Sequence, residues 1–271
     1  MNKIFRFIMI ALGINLCLAS SCKKNNDSFN DENLAPLSVE FDNIVGGQNL
    51  QLNAGTYYNA QGEEFNIDRL QYYISNIKVK KADGTEYVVP QDSSYFLIRE
   101  DDQSTRFCKV KVPEGEYSQL TFTLGVDSLR ATMDLSKRKG VLDVAGGMED
   151  GMFWGWTMGY IFLKLEGTSP SAPLDPLNTR KFRYHIGGFG NTEASPINNI
   201  KTITMDLTAG GVAKVRKGRE ANVHLFVDIA KVFDGPNKLS IASHPAVMFS
   251  TFSLGIANNF MGMFTHDHTE N

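Results

Sequence analysis

Two sets of residues in this 271-residue sequence have types and spacings suited to chemistry: five histidines, all in the second half, and two tryptophans placed two residues apart. In "KFRYHIGG", Phe182, Tyr184 and Ile186 alternate onto one face of an extended strand and leave His185 with Arg183 on the other, so His185 is not a core residue by pattern. In "NVHLFVDI" the apolar face is Val223, Leu225, Val227 and Ile229, which puts His224 opposite with Phe226 and Asp228; alone, it reads as an ordinary surface histidine. His244 precedes Pro245, which makes it a loop or extended residue. His266 and His268 form an H-x-H pair whose imidazoles, in an extended chain, point the same way and could clamp Cu or Zn. Without a metal, the same pair reads as a frayed tail. Both tryptophans, Trp154 and Trp156, lie in "GMFWGWTMGYIFLKLEG". If that run is one strand, Trp154, Trp156, Met158, Tyr160 and Phe162 share a face as an aromatic row, an arrangement common in cores.

Other chemistry finds little support. The sequence has no phosphate-binding glycine loop, no G-x-S-x-G elbow and no H-E-x-x-H helix, and "GGFGN" leads into "TEASP" rather than a helix. No C-x-x-C-H haem motif is present either.

The first 21 residues read as an export signal, with Lys3 and Arg6 ahead of an apolar run too short to span a bilayer comfortably. The run ends in "LASSC", which resembles a lipoprotein lipobox, with Ala19 where such boxes more often carry Leu. Acylation of Cys22 would then anchor the chain, each buried CH₂ contributing about 0.8 kcal/mol. Removing Lys3 and Arg6 leaves 25 basic against 30 acidic residues, a net charge of −5, which implies no basic face for nucleic acid. Cys17 leaves with the signal and Cys22 carries lipid, so Cys108 has no disulfide partner and reads as a small buried hydrophobe. No later apolar run is long enough for a transmembrane helix.

The elements that must position these residues are strands. Residues 22–36 are polar and read as a flexible tether; residues 37–271 follow as one domain. Within it the dominant period is two, in β-branched and aromatic segments separated by turn signals such as "ADGT" and "PEGEY". Helical periodicity is confined to residues 128 to 139 and 252 to 263. The expected fold is all-β: a single antiparallel β-sandwich of nine or more strands with long loops, including residues 166 to 180, and little helix.

The run "GMFWGWTMGYIFLKLEG" resembles the M-F-W-x-W-x-x-G-Y-x-F-x-x-x-E-G signature of the MbnP-like copper-binding family, periplasmic or lipoprotein members of which are associated with methanobactin operons. The resemblance extends to "VEFDNIVGG", "FNIDRLQYYISNIKV", "VPEGEYSQLTFTLGVD", "FRYHIGG" and "IANNFMGMFTHDH", in matching order. It implies a lipid-anchored cell-envelope protein, on the periplasmic or surface face of the outer membrane, that binds copper for acquisition or delivery and is not an enzyme. It also implies copper as cofactor, held by histidine together with a tryptophan oxidised to kynurenine, and a di-haem cytochrome c peroxidase-like partner that makes the modification. Carried onto this sequence, the metal residues are Trp154 or Trp156 with His185, His266 and His268, and His244 behind them. A metal-free surface-lipoprotein interaction module is the alternative, with the aromatics as core; a redox partner passing electrons through the two indoles is a third.

Overall fold

The computed structural model describes residues 33–144, 151–155, 158–190 and 196–271. The signal segment, Cys22, most of the tether and Trp156 lie outside the described residues. In chain order the first strands are β1 (Leu34–Val45), β2 (Gln48–Asn49), β3 (Tyr57–Tyr58), β4 (Glu64–Lys80), β5 (Glu86–Val88) and β6 (Tyr95–Arg99). They are followed by β7 (Phe107–Pro113), β8 (Gly115–Tyr117), β9 (Gln119–Leu124), β10 (Phe153–Gly155), β11 (Gly159–Thr168) and β12 (Lys181–Gly187). The last are β13 (Lys201–Asp206), β14 (Ala213–Val215), β15 (Ala221–Asp228), β16 (Ala246–Val247) and β17 (Phe264–Glu270). Among the described residues helix is limited to α1 (Ser128–Thr132), α2 (Ala230–Phe233), α3 (Ser253–Asn259) and short 3₁₀ turns, so both stretches with helical periodicity do contain helix. None of the described helices is long and apolar enough to cross a membrane.

The all-β expectation holds, but the chain does not form a single antiparallel sandwich. One sheet runs β17-β15-β1-β2 with β7 also on β1, and a larger one runs β13-β9-β4-β11-β12-β16 with β3, β5, β6 and β10 attached. The pairs β1–β15 and β12–β16 are parallel. Each joins segments far apart in sequence, a pairing that local turn signals cannot reveal. Strand pairing begins at Leu34, inside the stretch read as tether, because Leu34, Ala35 and Pro36 sit opposite Pro113, Val112 and Lys111.

Aromatic side chains join the two sheets. Phe41 of β1 meets Phe122 of β9 edge-on at 5.4 Å and Tyr72 of β4 at 6.4 Å, while Phe264 of β17 meets Phe122 at 5.0 Å. Such edge-to-face pairs contribute about 0.5–1.5 kcal/mol each beyond the area they bury. Cys108 on β7 is fully buried, as its alternation with charged neighbours predicts, and desolvation pushes its thiol pKa well up.

Candidate metal centre

The tryptophan run is a hairpin, not one strand. Gly155 and Gly159 take φ values of 142° and 72°, which a side chain would resist, and they sit opposite each other where β10 pairs antiparallel with β11 and Phe153 faces Tyr160. The expected aromatic row is therefore divided. Tyr160 and Phe162 point into the core, Met158 is exposed in the turn, and Trp154 is half-buried. The Trp154 ring packs edge-on against Phe249 at 5.7 Å. It also covers Gly187 so closely that a Cβ there would stand 2.9 Å from its Cζ3.

His185 lies two residues before Gly187 on β12, so the two share a face about 7 Å apart along the strand. The structure thus puts Trp154 over the face of β12 that carries His185. His185 Nε2 is 2.6 Å from Glu166 Oε1, and Arg69 Nε is 3.7 Å from Glu166 Oε2. The hydrogen bond to His185 holds the Glu166 carboxyl below its ordinary pKa, although burial opposes this. A carboxylate on Nε2 fixes the ring and leaves Nδ1 as the nitrogen that can take a metal. His244 is exposed, stacked on Phe252 at 4.0 Å.

His266 and His268 belong to the other sheet and do not share a face. Along β15 and β17 His224 pairs with His268 and Leu225 with His266, so Asp267 is an extra residue, a β-bulge that resets the alternation. His266 turns inward with Leu225, its Nε2 3.0 Å from Thr269 Oγ1, while its Nδ1 is buried without a hydrogen-bond partner against Gly210. Burial pushes its pKa down. His268 turns outward, directly opposite His224.

The bulge therefore assembles a cluster the sequence did not announce. Donor atoms of His224, Asp267 and His268 all lie within 4.8 Å of one another. Asp267 Oδ2 is 2.7 Å from His268 Nδ1 and 3.2 Å from His224 Nδ1, the latter off the line of a hydrogen bond. The two rings stand 5.0 Å apart. Asp267 raises the His268 pKa by its hydrogen bond, and His268 lowers that of Asp267 in return. The sequence showed that His224 lies off the apolar face; what it lacked was the β15–β17 register that supplies its partners.

Two curled sheets joined by aromatic rings, with imidazoles set beside carboxylates on both, define a β-rich protein with candidate metal-binding faces. The chain belongs to the MbnP family, whose model matches residues 35–249. Its fold is similar to that of a solved structure, MbnP from Methylosinus trichosporium, at 16% identity and a TM-score of 0.54, covering 80% of this chain and 82% of that one. No curated protein sequence matches the chain.

Proposed function

We propose that this protein binds copper at the Trp154–His185 face of the larger sheet. In this reading it is a lipid-anchored cell-envelope protein that acquires or delivers the metal rather than turning over a substrate. The observation that supports it best is the placement of Trp154, first tryptophan of the family signature, over Gly187 on the face that carries His185.

The chemistry is consistent with that placement. An indole offers only an N–H donor, whereas kynurenine, made by opening its pyrrole ring, offers an aniline nitrogen and a ketone oxygen. His185, steadied through Nε2 by Glu166, supplies an imidazole nitrogen, and nitrogen donors suit copper. A half-buried ring is within reach of an external oxidant, which on this reading is a di-haem peroxidase-type partner. Because His266 and His268 sit on the other sheet, the copper site proposed here does not use them.

Mass spectrometry and copper analysis of protein from its native host test the reading together. Conversion to kynurenine adds one oxygen and removes one carbon from Trp154 or Trp156, and fragmentation assigns the residue. A modified tryptophan with bound copper, lost in His185→Ala, is the expected result. Intact tryptophans and no copper would overturn it and favour the metal-free interaction module.

A further inference from the structure

We propose that His224, Asp267 and His268 form a second metal site, separate from the Trp154 face, that takes a divalent first-row ion such as Zn²⁺ or Cu²⁺. His268 is among the residues the family resemblance points to, but His224 and Asp267 are not, and their joining with His268 into one cluster rests on the structure alone.

The arrangement of nitrogens is the main support. Both imidazoles turn Nδ1 toward the same oxygen, Asp267 Oδ2, and both have a carboxylate behind Nε2: Asp42 Oδ2 is 3.8 Å from His224 Nε2, and Glu270 Oε1 is 3.6 Å from His268 Nε2. Metal-binding histidines commonly donate their other ring N–H to an outer carboxylate, which sets the tautomer; at 3.6 and 3.8 Å these two carboxylates are in ion-pair range of Nε2 and accept that bond after a small side-chain turn. Asp42 is itself held, with Arg106 Nη1 3.7 Å from its Oδ1. His224 Nδ1 is buried and faces Asp267 Oδ2 at 3.2 Å off the line of a hydrogen bond, so its lone pair is available to an ion placed between the two.

Distances and exposure agree. Donors on one Zn²⁺ lie about 2.0–2.2 Å from it, which in a tetrahedral site sets them about 3.3–3.6 Å apart. A cluster confined to 4.8 Å reaches that spacing with side-chain movements on the order of 1 Å. His268 and Asp267 are 47% and 39% exposed, leaving the site open to metal from solution and with room for water as a further ligand. Two imidazoles and a carboxylate suit Zn²⁺ or Cu²⁺, whereas monovalent copper is favoured by sulfur ligands.

The test uses the tag-free mature chain made without the oxidising partner, so that both tryptophans are intact, titrated with Zn²⁺ by calorimetry. One equivalent should bind, with affinity falling at least about 30-fold in His268→Gln and in Asp267→Asn, and about 10-fold in Asp42→Asn. Cu²⁺ in the same protein should show coupling to two nitrogens by electron paramagnetic resonance. Trp154→Phe and His185→Gln should leave Zn²⁺ binding unchanged, which separates this site from the copper reading. Absence of saturable Zn²⁺ binding, or binding unaltered in His268→Gln, an exposed position whose loss spares the fold, would overturn the proposal.

Discussion

His224 and His268 stand opposite each other on β15 and β17 with their rings 5.0 Å apart, and Asp267 reaches both because it is the one residue of β17 without a counterpart on β15. A regular strand would have placed that carboxylate on the face of neither imidazole. The bulge brings three polar side chains to one side of a strand at the cost of one unpaired residue.

Deleting Asp267 therefore separates the carboxylate from the imidazole pair. The shortened strand keeps Phe264 and His266 inward and Thr265 and His268 outward, with His268 still opposite His224. Thermal unfolding should change little, by no more than about 1 kcal/mol, as expected for a surface change away from the core. Zn²⁺ affinity should fall as far as in Asp267→Asn. A large loss of stability would show instead that the bulge is needed for the strand to pair.

What the sequence made legible, and what it did not, follows from the range of each signal. Alternation in "NVHLFVDI" and "KFRYHIGG" correctly put His224 and His185 off the apolar faces, because alternation is a property of one strand. The "ADGT" turn correctly joined β4 to β5, with Lys80 facing Glu86. The H-x-H pair was misread because a single-residue bulge reverses parity without changing composition. The aromatic run was misread because its glycines at 155 and 159 mark a reversal, whereas alternation was counted straight through them. The parallel pairs and the His224–His268 partnership depend on long-range register, which no local pattern carries.

Gly187 offers a direct handle on Trp154. A methyl group there would stand 2.3 Å from the Tyr160 carbonyl oxygen and 2.9 Å from the indole. Gly187→Ala should push the indole outward and strain the β11–β12 pairing, costing about 1–3 kcal/mol, as overpacking does elsewhere. A red shift in tryptophan fluorescence with a lowered midpoint of urea unfolding is the expected result; an unchanged spectrum would mean that the contact is relieved without moving the indole.

Glu63 ties the loop before His244 to the strand region and should make it sensitive to acid. Burial alone would raise its carboxyl pKa, but the N–H groups of Ala242 and Ile241, the Asn59 amide and the Ser240 hydroxyl all donate to it and hold the pKa below its ordinary value. A lowered folded-state value means that this stabilisation is present above the unfolded value near 4.5 and is lost as pH falls through the folded one. Glu63→Gln should cost about 1 kcal/mol at pH 7, since the group is partly exposed. The cost should shrink on acidification, and urea unfolding at pH 7 and at pH 3.5 would measure both.

Arg106 links the cluster to the interior, and removing it should be felt at both ends. Its guanidinium pairs with the Oε1 of Glu100, whose side chain is 4% exposed, and lies 3.7 Å from Asp42, the carboxylate behind His224. Burial raises the Glu100 pKa against the opposing hydrogen bonds from Asn43 and Arg106. Arg106→Gln leaves a buried carboxylate without its cation, a change that typically costs about 3–5 kcal/mol. With the cation gone the Glu100 pKa rises further above its unfolded value, so the penalty is largest at high pH and is relieved as pH falls through the folded value. Asp42, no longer held, should orient His224 less well and weaken Zn²⁺ binding by about the 10-fold expected of Asp42→Asn. Unfolding measured across pH, with a Zn²⁺ titration at neutral pH, reads both effects in one variant. Destabilisation that did not change between high and low pH would show that Glu100 is protonated throughout and that Arg106 does not act by pairing with its charge.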